Sequence, residues 1–311
     1  MLKRYLLADN KVVEAEDQQG QILVFINPDE SERQHLLHDY QLDEHTLLSA
    51  LDPDELARLE FEPDHIAMIF KRPKNYSSKD QFLFNVASVG VFIFKERLIV
   101  LLSEDTPIFS GKLFQHVSSL QDLCLRMIGR TIYHYLEHLK VINMITDSLE
   151  QKVNISMENK HLLNLFSLGK SLVYYLNAIN SNSMLIQKLQ NNATRLGLTQ
   201  ENKELLEDIM IENTQCSKQA QIYSSILASL MDARASIVGN NLNILMKILN
   251  LITIALMVPA LVVSIFSMNV ILPLNHEQPL AFWLILFICA ISVVGFLIFW
   301  RRISGQSISR G

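Results

Sequence analysis

The chain has 311 residues, enough for one large domain or two ordinary ones, with 49% hydrophobic and 19% charged residues and a formal net charge of −5. No basic patch is interleaved with aromatics, so no nucleic-acid partner is expected. Cys124, Cys216 and Cys289 lie far apart with no CxxC pair, which excludes a disulfide or zinc framework and suits a reducing compartment.

The first residues, MLKRYLLADNKVVEAEDQ, are broken by charge before an apolar signal region could form, so no secretory leader is expected. Strand signals follow in QILVFINP (21–28), HIAMIFKRP (65–73), FLFNVASVGVFIF (82–94) and LIVLLSE (98–104), which are short, apolar and ended by Pro or charge. Between them, ERQHLLHDYQL and DEHTLLSALDPDELARLE have helical spacing with acidic starts. KRPKNYSSKDQ (71–81) reads as a hairpin or connecting loop. These elements predict an N-terminal α/β domain over 1–108 with a mixed sheet. His35 and His38 are expected to face solvent on a charged helix. DPDE (52–55) reads both as an ordinary helix start and as a group of acids able to coordinate a cation.

The helical region begins near Pro107, and long cytoplasmic helices are predicted over 109–198, one near 112–155 and a second near 158–195. The break falls in TRLGLTQENKE, where Gly197 serves as the stop and Thr199 with Asn202 lies near the next start. From there the helical pattern runs unbroken to Pro259, and a helix over about 200–268 would be roughly 100 Å long. HYLEH (134–138) matches an inverted zinc-peptidase pattern with both His on one helix face. Such a site needs a third ligand and an open position. No partner motif follows, so a structural or solvated face is expected for His134 and His138, with a cytosolic transition-metal sensor as the lesser reading. With no phosphate loop, nucleotide fingerprint or nucleophile arrangement, no enzyme is expected.

Charge vanishes twice near the C-terminus, from Ile248 to Leu272 and from Leu280 to Trp300. Each stretch reaches the roughly 20 residues a helix needs to cross the hydrocarbon core. The predicted division is a stalk helix running into the first span (199–272, membrane part about 248–268), a loop (273–279), a second span (280–300) and a basic tail (301–311). The loop carries no Lys or Arg, whereas Lys247 precedes the first span and Arg301 and Arg302 follow the second. Both termini are therefore expected in the cytoplasm, with the loop outside. Gly295 and Cys289 in the second span are expected to pack against the first. Pro259 should kink its helix or leave a carbonyl for pore water or a neighbouring Ser to satisfy.

The first span has a second pattern. Steps of three and four pass through Asn243, Met246, Asn250, Thr253, Met257, Ala260, Ser264 and Ser267, while the residues between are mostly Ile, Leu and Val. Backward, the same stripe passes through Gly239, Ser236, Asp232, Ser229 and Ser225. Small and hydroxyl residues can form a packing seam between membrane helices. The other reading is the wall of a water-filled pore, since an amide such as Asn250 is costly against lipid and should face water or a partner. Two spans cannot enclose a pore, so this reading needs a symmetric ring of chains. Amide and hydroxyl rings suit a hard cation that keeps its water, as Mg²⁺ does. Met246 and Met257 would then form apolar constrictions.

The chain is similar to the CorA superfamily of magnesium and divalent-cation channels. The family's Gly-Met-Asn signature at the outer end of the first span reads here Ser267, Met268, Asn269, preceded by Ile-Phe. LDPDELARLEFEPDHIAMIFKRPKN (51–75) also resembles the family's N-terminal domain, and the order of elements matches along the chain. The resemblance implies an α+β membrane protein that assembles as a homopentameric funnel in the inner membrane and carries Mg²⁺, with Co²⁺ or Zn²⁺ as other cargo. It implies Asn269 as the selectivity ring, Asn243 and Met246 at the cytoplasmic neck, and Leu249 or Asn250 and Met257 at inner constrictions. Asp208 falls where the family has a carboxylate that binds regulatory Mg²⁺ between subunits. Three departures accompany the likeness. Ser267 replaces Gly; the acidic loop motif is reduced to a displaced Glu277; and the second regulatory acid, expected near Leu48 and Ser49, is absent, with Asp52, Asp54 and Glu55 nearby and Asp232 further along the stalk. A zinc transporter of the same fold and a non-conducting membrane-anchored sensor or scaffold are the alternatives these departures raise.

Overall fold

The computed structural model describes residues 1–15, 20–76, 82–155, 159–268 and 279–308. Its N-terminal third forms strands β1 (Leu2–Ala8), β2 (Lys11–Glu14), β3 (Ile22–Ile26), β4 (Arg58–Phe61), β5 (Ile66–Pro73), β6 (Val86–Ile93) and β7 (Leu98–Leu102). Helices α1 (Glu30–His38) and α2 (Glu44–Leu51) lie between β3 and β4. The strands make one sheet in the order β2-β1-β3-β7-β6-β5-β4, antiparallel except for β3 beside β7, so the sheet is mixed as expected. Every residue of β3 and β7 is buried, which is why both read as unbroken apolar runs rather than alternating ones.

Short helices on one face and long helices on the other sandwich the sheet. Leu36 of α1 and Leu47 and Ala50 of α2 join one core with Phe25, Ile69 and Leu101. At Gly90 any Cβ would collide with the Ala50 side chain, so glycine lets α2 approach the sheet. Asp29 caps α1 through a reciprocal box with Glu32, at 2.8 and 3.1 Å. Asp43 caps α2 by accepting from the Thr46 N–H at 2.9 Å, and this hydrogen bond lowers the Asp43 pKa.

The opposite face is covered by α3 (Leu120–Ile155) and α4 (Asn159–Asn191), and the first part of α5 (Gln200–Phe266) packs into the same core against them. Polar residues of α4 complete the sheet edge. Strand β4 pairs with β5 only as far as Ile69, and beyond it Asn182 takes the missing strand's place. Its amide accepts from the Lys71 N–H at 2.8 Å and donates to the Lys71 carbonyl at 2.7 Å. Ser181 accepts from the Ala57 N–H at 2.6 Å, and Ser171 from the Phe84 N–H at 2.9 Å. Gly197 stands at φ +67 in the turn before α5, and Thr199 caps that helix by accepting from the Asn202 N–H at 3.2 Å, as the spacing predicts.

Three local readings change. Strands β1, β2 and β4 lack a sequence signal because they lie toward the two edges of the sheet and are only partly buried. Helix α3 starts at Leu120, not near 112. There Ser119 Oγ accepts from the Asp122 N–H at 3.1 Å and the Asp122 carboxylate accepts from the Ser118 N–H at 2.8 Å, a cap that only a helix start can use. DPDE does not begin a helix. It follows α2, with Asp52 in extended backbone and its carboxylate accepting from the Asp54 N–H at 2.8 Å.

The chain divides into two compact units, Met1–Met231 and Asp232–Gly311, with the boundary inside α5. In the second unit, α5 and α6 (Pro279–Ile308) each contain a stretch long and apolar enough to cross a membrane.

Candidate ion pathway and cytoplasmic metal sites

Within the second unit, α5 from Asn243 to Ser264 has a half-buried face and a polar one, with exposed apolar residues such as Ile252 and Leu256 between them. Leu251, Ala255, Val258, Pro259 and Val262 are half-buried, whereas Asn243, Met246, Asn250, Thr253, Met257 and Ser264 are exposed. At 3.6 residues per turn the centres of these stripes lie roughly 150° apart. Helix α6 lies along the half-buried stripe, with Cys289 Sγ 3.8 Å from the Pro259 carbonyl. Pro259 therefore belongs to the face beside α6, and the carbonyl that its missing N–H leaves unpaired is not on the polar stripe. Cys289 packs toward α5 as expected; Gly295 does not, because it is exposed with nothing near its Cβ direction. Leu249 is exposed on the flank of the polar stripe.

Two hydroxyls on the stripe are already turned inward as donors. Thr253 Oγ1 donates to the Leu249 carbonyl at 2.8 Å, and Ser267 Oγ donates to the Ser264 carbonyl at 2.9 Å. Each oxygen keeps lone pairs for an outside donor. Ser267 and Met268 follow the end of α5 and are exposed; Asn269 and Glu277 lie outside the described residues.

The acids considered for regulation are spread out. Asp208 is exposed on α5 in the first unit, and Asp232 is exposed at the start of the second. Asp52 and Asp54 are exposed beside cations. The Lys71 ammonium, on a side chain buried in the sheet, donates to the Pro53 carbonyl at 2.7 Å and to Ser88 Oγ at 2.9 Å. Burial lowers the Lys71 pKa, while Asp52, Asp54 and Glu55 pull it back up. Glu55 pairs with Arg58 at 3.2 Å. A charged Lys-Arg pair closing the apolar strand HIAMIFKRP was the sequence signal for this arrangement, and the sequence reading did not use it.

His134 and His138 do come together, with ring centroids 4.4 Å apart. His138 Nδ1 lies 2.6 Å from the Tyr175 hydroxyl, and Glu137 pairs with Arg130 at 3.2 Å. Burial first, then the neighbouring cationic or imidazole groups, pushes both His down to about 4. Among the described residues no group of three or more His, Cys, Asp or Glu could hold a metal ion within the chain.

A family model described as CorA-like Mg²⁺ transporter protein matches residues 17–302. The chain belongs to the CorA-like family. Members are transporters and not enzymes, so this chain is a membrane transporter of the divalent-cation class. Among curated proteins, it is 26% identical over 263 residues to the cobalt/magnesium transport protein CorA of Methanocaldococcus jannaschii, covering 81% of this chain and 80% of that one. The complete structure of the CorA magnesium transporter from that organism shares the fold, with a TM-score of 0.79 at 20% identity over 97% of this chain and 96% of that one. The full-length CmaX protein has a TM-score of 0.73 at 13% identity, covering 98% and 97% of the two chains. The ZntB cytoplasmic domain from Vibrio parahaemolyticus has a TM-score of 0.60 at 13% identity, covering 76% of this chain and 98% of that domain. These likenesses establish an N-terminal α/β domain, long helices and two C-terminal apolar helices.

Proposed function

We propose that this CorA-like chain forms a homopentameric channel that admits Mg²⁺ to the cytoplasm down its electrochemical gradient. The observation that carries this reading is the exposed amide stripe of α5, turned away from the seam that α6 covers. Against lipid, Asn250 would leave its amide without a partner; around a shared axis it meets water, as does Asn243 at the neck. A fully hydrated cation points its water O–H bonds outward, so its wall must accept hydrogen bonds. Amide carbonyls accept, and so do Thr253 and Ser267, whose own protons are spent on the helix backbone. Mg²⁺ dehydrates reluctantly and suits such a wall better than it suits a dry cage.

Met246 and Met257 form the apolar narrowings, with Leu249 at their edge, and Asn269 forms the outermost ring. Lys247, Arg301 and Arg302 set both termini in the cytoplasm of a cell membrane. An inside-negative potential then favours entry of the doubly charged ion by about 4.6 kcal/mol per 100 mV. Asp208, exposed on α5, is the carboxylate proposed to bind regulatory Mg²⁺ against a neighbouring subunit. Co²⁺ is a second cargo to consider, because the curated M. jannaschii relative is named for both ions.

The test is dye-reported influx into liposomes, comparing Mg²⁺, Co²⁺ and Zn²⁺ for wild type and Asn269→Ala. Mg²⁺ influx that the substitution abolishes supports the proposal. Co²⁺ or Zn²⁺ influx without Mg²⁺ moves the protein to a transition-metal cargo. Folded pentamers that pass no ion would contradict transport by this chain.

A further inference from the structure

The contact between Cys289 and Pro259 also sets the register of the two apolar helices in the second unit. Two helices joined by so short a connection run in opposite directions. Arg301 lies twelve residues beyond Cys289, and Lys247 lies twelve before Pro259. Both therefore stand at one depth, roughly 18 Å from the contact at 1.5 Å per residue. Arg302 follows at once, and all three cations are exposed. Among the described residues of this unit Asp232 is the only acid, about 22 Å from Lys247 along α5. Around α5, Lys247 is roughly 85° from the centre of the polar stripe, so it is not on the proposed ion path. It shares a column with Ile254, Val258 and Ile265, which lie within about 20° of it. Ile254 and Ile265 are exposed and Val258 is half-buried.

We infer that Lys247, Arg301 and Arg302 bind the headgroups of anionic phospholipid at this end of the two helices. A net negative headgroup complements three cations that have no acid at their depth among the described residues of this unit. Arginine meets a phosphate through its planar fork, and lysine meets it as a point charge. The apolar column that runs from Lys247 toward the other end of the span gives an acyl chain a surface to lie on. A zwitterionic lipid offers the same chain but brings its own cation toward the basic group. A second copy of this chain is a poorer occupant, because it carries the same cations to the same depth. Basic residues beside the end of a span attract anionic lipid at short range. The inference needs two membrane spans but not ion conduction, so it does not depend on transport.

The experiment places the full-length protein in liposomes whose lipids carry bromine on the acyl chain, where it quenches tryptophan fluorescence only on contact. The chain has two Trp, so Trp283→Phe leaves Trp300, beside Arg301, as the reporter. Trp300→Phe leaves Trp283, toward the other end of α6. At Trp300, phosphatidylglycerol is expected to bind at least about fivefold more tightly than phosphatidylcholine, the preference one cation near the surface supplies. Combining Lys247→Gln, Arg301→Gln and Arg302→Gln should abolish that preference. Arg234→Gln, about 20 Å from Lys247 along α5, should leave it unchanged. The three substituted side chains are exposed, so the variant is expected to fold, which circular dichroism checks. Equal quenching by the two lipids at Trp300 would overturn the inference, and so would a preference that survives the triple substitution. An equal preference at Trp283 would overturn it as well. Protection of Trp300 from both lipids would overturn it in favour of a neighbouring copy at this end.

Discussion

The two units treat the same side chain in opposite ways. In the first, Asn182 is fully buried, and both ends of its amide are bonded to the backbone of Lys71. In the second, Asn243 and Asn250 stand exposed on a helix otherwise rich in Ile and Leu. A buried amide must be satisfied within its own fold or cost free energy. The first unit meets that condition with one chain. The amides of the second meet it only with water or with other copies, and this difference separates a structural amide from one that the proposed pore would use.

The sharpest way to break the comparison is to exchange consequences. Replacing Asn182 with Ala orphans the Lys71 N–H and carbonyl, so a loss of about 3 kcal/mol is expected in chemical denaturation. Replacing Asn250 with Leu should change folding stability by less than about 0.5 kcal/mol, as for an exposed site, while Mg²⁺ influx falls at least tenfold. Equal stability losses in the two variants would erase the distinction. Gly90→Ala tests the close packing of the first unit, because the new methyl meets Ala50; a loss of about 1–3 kcal/mol is expected, read as a lower denaturation midpoint.

A gentler test uses pH. His134 and His138 are held down to about 4 in the folded chain, against an ordinary value of 6.5. Between those values the unfolded chain binds more protons, so their contribution to stability is complete above about pH 6.5 and is lost as pH falls toward 4. Denaturation midpoints measured between pH 7 and 5 should decline less steeply when both residues are changed to Gln. An unchanged slope would place the titrating groups elsewhere.

Legibility in the sequence followed how much each residue's role depends on distant partners. Strands β3, β5, β6 and β7 were readable because sheet burial alone makes them apolar. Strand β4 was hidden in a helical-looking stretch, since its RLEF is half-buried at the sheet edge. Asn182 was invisible because its partner lies 111 residues away. The polar stripe was readable from spacing within one helix, and the structure adds that it lies opposite the α6 seam. Gly295 was misassigned to that seam because small residues suit packing, although in this fold it turns outward.

The most direct measurement is modification of single cysteines by a charged, water-soluble thiol reagent in membranes, in a Cys289→Ala background. Cys124 and Cys216 are buried, with thiol pKa values raised by burial, so they should stay silent. Met257→Cys on the stripe and Ile252→Cys on an exposed apolar face are compared. Rapid modification of Met257→Cys with protection of Ile252→Cys is expected if the stripe lines a water-filled path. Protection of both, or equal modification of both, would contradict it.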